Sequence, residues 1–184
     1  DSTDFSMQQF SLLRLIEDED LTKEVIAEEL QALRDGHGIV MKTRPHPEIA
    51  NTGSFARTPE VFEDSTTNLV IWDVDCFAPI DIKDWDATAR RQLLLEELPI
   101  LQGVGMVVQL SASAGLGTVH KGKKAHDYTK RVSMRVYMLA NEALTHAEWN
   151  KLMEPIARIP KDSGFTDNDN HYFDMRLFSN RVLP

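Results

Sequence analysis

At 184 residues, 42% hydrophobic and 27% charged, the chain has the size and make-up of one globular domain with a buried core. A net charge of −9 argues against a protein that coats duplex DNA through a broad basic surface. One cysteine, Cys76, excludes an internal disulfide framework, and no apolar run nears the roughly 20 residues of a membrane-spanning helix. With no secretory signal at its start, we expect a cytoplasmic chain with no membrane partner. Opening at Asp1 without Met, it is expected to be a processed chain or a fragment.

The N-terminal part reads as helical: Phe10, Leu13 and Ile16 share a face, and Leu21, Val25, Leu30 and Leu33 continue it until Gly36 and Gly38. Residues Gly38–Arg44 read as a strand, and Pro45, Pro47, Gly53 and Pro59 make residues 45–67 mostly loop. Asn68–Asp75 gives the strongest strand signal, and a helix is expected from about Ala87 to Leu98, stopped by Pro99. Met106–Ser111 is a second strand that runs into a small-residue turn over Ala112–Leu116. Val132–Leu139 alternates as a third strand, and Thr145-His-Ala-Glu148 is a capping box that opens a helix to about Ile156. A polar stretch then leads into Tyr172–Arg176. The order predicts an α+β domain, an antiparallel or mixed sheet backed by helices, with residues 1–67 as an N-terminal helical and loop module and 68–184 as the main unit.

Asp73 and Asp75 alternate along a strand, so both carboxylates leave the same face. Two acids that close repel unless a cation lies between them, and oxygen-only ligands suit Mg²⁺ or Mn²⁺. The bland alternative is a strand end whose acids meet solvent. Ser111-Ala-Ser-Ala-Gly115 offers hydroxyls and amides for phosphate, or is an ordinary tight turn. Arg135 interrupts an apolar strand and suits a triphosphate, unless it faces solvent. Asp174, an acid in apolar surroundings, either completes a three-carboxylate site or serves a turn. Residues 118–135 hold six Lys or Arg (Lys121, Lys123, Lys124, Lys130, Arg131, Arg135) against the single acid Asp127, which reads as an anion-binding edge or a solvated hairpin loop.

The ordered set Val70-Ile-Trp-Asp-Val-Asp75, Ser111-Ala-Ser-Ala-Gly115, Met134-Arg-Val-Tyr137 and Phe173-Asp-Met175 resembles the archaeo-eukaryotic primase superfamily, in particular the primase-polymerases of plasmids and phages. The resemblance spans roughly residues 68–180 and implies an RRM-like catalytic palm. It implies template-directed synthesis from nucleoside triphosphates with Mg²⁺ or Mn²⁺, on a single-stranded nucleic-acid template, in replication of a mobile element or phage. Carried onto this chain, Asp73, Asp75 and Asp174 bind metal, and Ser111, Ser113 and Arg135 contact the triphosphate. His120 rivals Arg135, because the superfamily often places His in the second motif. Lys121, Lys123 and Lys124 would hold the template. A helicase, fused or separate, is the implied protein partner and is expected to lie outside these residues.

Asp73-Val-Asp-Cys-Phe77 also resembles the Asp-x-Asp-x-Phe of Y-family polymerases, but there the motif lies close to the N-terminus of a much longer chain. Haloacid-dehalogenase-type phosphatases expect Thr or Val where Phe77 stands. No pair of histidines alternates on a strand as a rolling-circle nuclease needs, and the lysines between His120 and His126 disfavour a cation. Trp72, Trp85 and Trp149 read as core anchors, Cys76 as a buried small side chain and Arg57 as a surface residue. The rival from another class is a non-catalytic RRM-like module that binds nucleic acid or a partner through residues 118–135.

Overall fold

The computed structural model describes residues 7–9, 22–34, 46–50, 54–56, 61 and 66–178. Strand β1 (Met7–Gln9) pairs antiparallel with β2 (Ser54–Ala56), Gln8 opposite Phe55. Between them in sequence lie α1 (Lys23–Arg34), entered where the Thr22 hydroxyl accepts the Val25 amide at 3.2 Å, and the single turn α2 (Pro47–Ala50). Pro47 suits that first helical position, where an amide would have no partner. Beyond the expected helix and loop, this region holds the short β1–β2 pair, and α2 and β2 lie within residues 45–67. The expected helical face of Phe10, Leu13 and Ile16, the strand over Gly38–Arg44 and Arg57 lie outside the described residues.

The main sheet follows the β-branched and aromatic runs. Strand β3 (Thr67–Val74) is followed by α3 (Ala87–Glu97), β4 (Met106–Leu110), the pair β5 (Thr118–Lys121) and β6 (Lys124–Asp127), β7 (Met134–Leu144) and α4 (His146–Ala157). The sheet order is β3-β7-β4, with β4 antiparallel to β7 and Gln109 opposite Arg135. The basic segment is a hairpin of its own, Lys121 opposite Lys124, turning at Gly122 with φ +63. A two-residue turn needs that left-handed backbone, which glycine adopts without steric cost.

Both longer helices of this region start and stop as their sequences dictate. The Asp86 carboxylate accepts the Ala89 amide at 2.8 Å to cap α3, and Pro99, lacking an amide, follows its end at Leu98. The capping box of α4 is formed: Glu148 Oε2 accepts the Thr145 amide at 2.9 Å, and Thr145 Oγ1 accepts the Glu148 amide at 3.3 Å. The α+β class is therefore the observed one. No helix among the described residues is long and apolar enough to cross a membrane.

The chain packs as two compact units. One comprises residues 1–69, 139–150 and 176–184, the other 70–138 and 151–175. In the first, the buried Trp149 indole donates to the Thr67 carbonyl at 2.7 Å, satisfying its polar end inside an apolar setting. In the second, the core includes Ile71, Trp72, Val74, Ile82, Leu94, Met134 and Val136, and the Trp72 ring stacks on Phe173 at 4.1 Å. Trp85, by contrast, is only partly buried. Cys76 is buried, and burial pushes its thiol far above the ordinary range, so it packs as an inert apolar group.

Candidate functional site

Asp73 lies near the end of β3 and Asp75 just beyond it, and an arginine meets each of them. Arg135 Nε lies 3.5 Å from Asp73 Oδ1, and Arg131 Nη2 lies 2.8 Å from Asp75 Oδ2. Gln109 stands opposite Arg135, and the Tyr137 hydroxyl, two residues along β7, donates to Gln109 Oε1 at 3.0 Å. Arg135, Gln109 and the Tyr137 hydroxyl make this part of the sheet polar, whereas Met134, Val136 and Met138 are buried in the core. Burial raises the Asp73 carboxyl above its ordinary range; Arg135 opposes the rise, while the charges of Asp75 and Asp174 add to it.

Asp174 is brought to the same place, though not by a strand. Its amide donates to the Asp73 carbonyl at 3.0 Å, next to the Phe173 ring that stacks on Trp72, and a 3₁₀ turn (Met175–Phe178) follows. Among the described residues, no group of three or more His, Cys, Asp or Glu is arranged to hold a metal ion, so the three acids do not form a closed cage. A magnesium ion does not need one, since it is commonly held by one or two carboxylates together with water and substrate phosphates.

Two buried atoms of this site lack hydrogen-bond partners: the acceptor Asp75 Oδ1 and the donor Arg135 Nε. The contact of Arg135 Nε with Asp73, at 3.5 Å, is chiefly one of charge, at the long limit of a hydrogen bond. Leaving a buried polar atom unpaired costs about 1–3 kcal/mol, so such atoms mark strain or the place of a missing ligand. An unmet acceptor on one residue of the site and an unmet donor on another suit a ligand carrying both signs of charge.

Arg131 was not assigned a role from sequence, where it is one of six basic residues in a run. Its position follows from backbone pairing beyond β3. The Val132 amide donates to the Cys76 carbonyl at 2.9 Å, and the Ala78 amide to the Lys130 carbonyl at 2.8 Å. Phe77 also exchanges both hydrogen bonds with Thr166. The Arg131 guanidinium additionally lies 5.3 Å over the Tyr128 ring. Ser133, buried at φ +49, breaks the alternation between Arg131 and Arg135, so each arginine meets a different aspartate. Beside Asp75 opens a cleft of about 410 Å³ that Phe77, His126, Tyr128, Arg131 and Asp167 help to line.

The serine segment forms a turn. Ser111, Ala114 and Leu116 spend their amides on the carbonyls of Ser133, Ser111 and Ser113. Gly115 takes φ +80, with room for a Cβ only 3.3 Å from the Lys83 carbonyl. The hydroxyls of Ser111, Ser113 and Ser133 form a chain, with contacts of 3.2 and 2.9 Å. His120, Lys123 and Lys124 are exposed on the β5–β6 hairpin, and Lys121 sits opposite Lys124 in its register. His120 does not line the cleft beside Asp75, whereas Ala125, His126 and Asp127 of the opposing strand do.

No family model, curated protein or solved structure matches the chain. The site must be read from its own chemistry.

One consequence concerns stability. Because burial raises the Asp73 pKa, its ionised form is disfavoured in the fold relative to the unfolded chain. Asp73→Asn is therefore expected to leave stability at neutral pH unchanged or slightly higher. Any gain fades as the pH falls through the raised value towards 3.8, where wild-type Asp73 also takes up its proton. Thermal unfolding of both proteins between pH 3 and 8 reads this; a mutant markedly less stable at neutral pH would mean that the Arg135 pair outweighs desolvation.

Proposed function

We propose that the chain is a metal-dependent nucleotidyl transferase, a primase-polymerase that builds a strand on a single-stranded template from nucleoside triphosphates. The observation that carries this reading is that Asp75 Oδ1 and Arg135 Nε are both buried without a hydrogen-bond partner. Asp75, with Asp73 beside it, would hold Mg²⁺ or Mn²⁺, which when bound neutralises phosphate charge and activates a hydroxyl. Asp174 adds negative charge at the same place, as its effect on Asp73 indicates. Arg135 would give the triphosphate the donor that now lacks an acceptor, a charge-assisted contact. The part-buried hydroxyls of Ser111 and Ser113 would offer further donors to the phosphates, steadied by the buried Ser133 hydroxyl that accepts from Ser113. Lys121, Lys123 and Lys124 would track template phosphates as point charges.

In this reading the sheet is an RRM-like palm, its polar face the working surface, and a helicase is the expected partner in replication of a mobile element or phage. A second reading, a non-catalytic nucleic-acid-binding module, is favoured by one observation: each aspartate already has an arginine partner. Incorporation of labelled nucleotide on a single-stranded template with Mg²⁺ or Mn²⁺ separates the two. The enzyme reading requires incorporation that Asp75→Asn removes; template binding unaffected by Asp75→Asn, with no incorporation by the parent, favours the module.

A further inference from the structure

The cleft beside Asp75 is large enough for a small ligand, at about 410 Å³ within the usual range for such sites. Its charge decides what can enter. Asp75, Asp127 and Asp167 face it against one permanent cation, Arg131, so a bare polyphosphate is repelled. Asp127 is already occupied, accepting the Thr129 amide at 2.9 Å and hydroxyl at 2.8 Å. Asp75 keeps one oxygen unpartnered and gives the other to Arg131.

Arg131 is built to let go. Its backbone is fixed, since its carbonyl accepts from the buried guanidinium of Arg90 at 2.9 Å and its amide donates to the Tyr128 carbonyl at 3.1 Å. Its side chain is partly exposed and held by one carboxylate oxygen, one ring face and a long hydrogen bond from Nε to the Asp75 carbonyl at 3.4 Å, each a weak grip. The guanidinium can therefore swing while its root stays in place.

We propose that this cleft seats a polyphosphate that enters with a divalent cation, and that Arg131 is the switch. Arg131 holds Asp75 in the free chain, yields the carboxylate to the cation, and turns its planar fork to the phosphates. The inference rests on reading Asp75 as a cation ligand and adds the ligand class and the residue that controls loading. Asp75 is thereby kept neutralised until cation and polyphosphate arrive together.

The two roles of Arg131 have opposite signs, which makes them separable. Titration calorimetry with Mn²⁺ alone, and then with tripolyphosphate in saturating Mn²⁺, is run on the wild type, Arg131→Met and Asp75→Asn. Arg131→Met should bind Mn²⁺ roughly three- to tenfold more tightly, because the competing cation is gone, and tripolyphosphate at least tenfold more weakly. A merely structural Arg131 would weaken both, and that result, or no change in either, overturns the proposal. Arg131→Lys retains the charge and so should keep wild-type Mn²⁺ affinity while losing part of the tripolyphosphate affinity; this variant serves if Arg131→Met does not fold. Replacing tripolyphosphate by a nucleoside triphosphate should preserve every sign, and binding of the nucleotide alone would overturn phosphate as the recognised group. If Asp75→Asn binds Mn²⁺ like the wild type, the cation reading itself fails. If Asp75→Asn loses Mn²⁺ while Arg131→Met changes nothing, only the switch fails.

Discussion

Replacing Arg90 with alanine is expected to lower stability by about 3 kcal/mol or more, a large share of the 5–15 kcal/mol that holds a typical fold. Arg90 is fully buried on α3, and among the described residues no carboxylate pairs with it. Its Nε donates to the Trp85 carbonyl at 3.0 Å, Nη1 to the carbonyls of Arg131 and Val132, and Nη2 to those of Ile82 and Lys83 at 2.8 and 3.2 Å. Burial disfavours the charge and pulls its pKa down, so the site is costly to make, but five carbonyls depend on it. The Ile82 carbonyl also accepts the Trp85 amide at 3.0 Å, but removing the guanidinium strands the others, and at about 1–3 kcal/mol for a buried unmet group the loss outweighs the desolvation relieved, even if water enters part of the space. Arg90→Lys should recover only part, since one ammonium with three donors cannot span five acceptors on two segments. Urea unfolding of the three proteins checks this. A loss for Arg90→Ala below about 0.5 kcal/mol, the range of neutral surface changes, would contradict the clamp.

The second large effect is on activity. Asp75→Asn is expected to reduce strand synthesis by about 10²-fold or more, because it removes charge and a ligand oxygen from the proposed ion site. Its effect on the fold should be small by comparison. The pair with Arg131 is partly exposed, and such pairs contribute about 0–1 kcal/mol. The decisive quantity is the disproportion: synthesis lost while the unfolding midpoint barely moves. If synthesis and stability fell together, or synthesis persisted, Asp75 would be a structural acid.

What the sequence showed and what it hid have physical reasons. β3, α3, β4, β7 and α4 were legible because their periods and caps are local: Pro99 after α3 and the Thr145–Glu148 box are written within four residues. The Asp-x-Asp spacing was equally plain, and each of its acids meets an arginine. The β1–β2 pair was hidden because its strands are three residues each and meet across more than 40 residues of chain. Arg131 was hidden because its role depends on Cys76 and Phe77 pairing with residues 130–132 and on a left-handed Ser133, neither of which has a local signature. Nothing in the sequence distinguishes Arg90 from Arg91, yet only the first is fully buried. Asp174 was anticipated as an acid of the site, but a backbone hydrogen bond to Asp73, not a strand, brings it there.

The central claim is that the site bearing Asp73 and Asp75 holds a divalent ion. Crystals soaked in Mn²⁺ and measured for anomalous scattering test it most directly. The account predicts a manganese peak about 2.1 Å from Asp75 Oδ1, with Asp73 beside it and Arg131 displaced from the carboxylate. Full-occupancy manganese elsewhere on the chain, with the Asp75–Arg131 pair still closed at 2.8 Å, would contradict it.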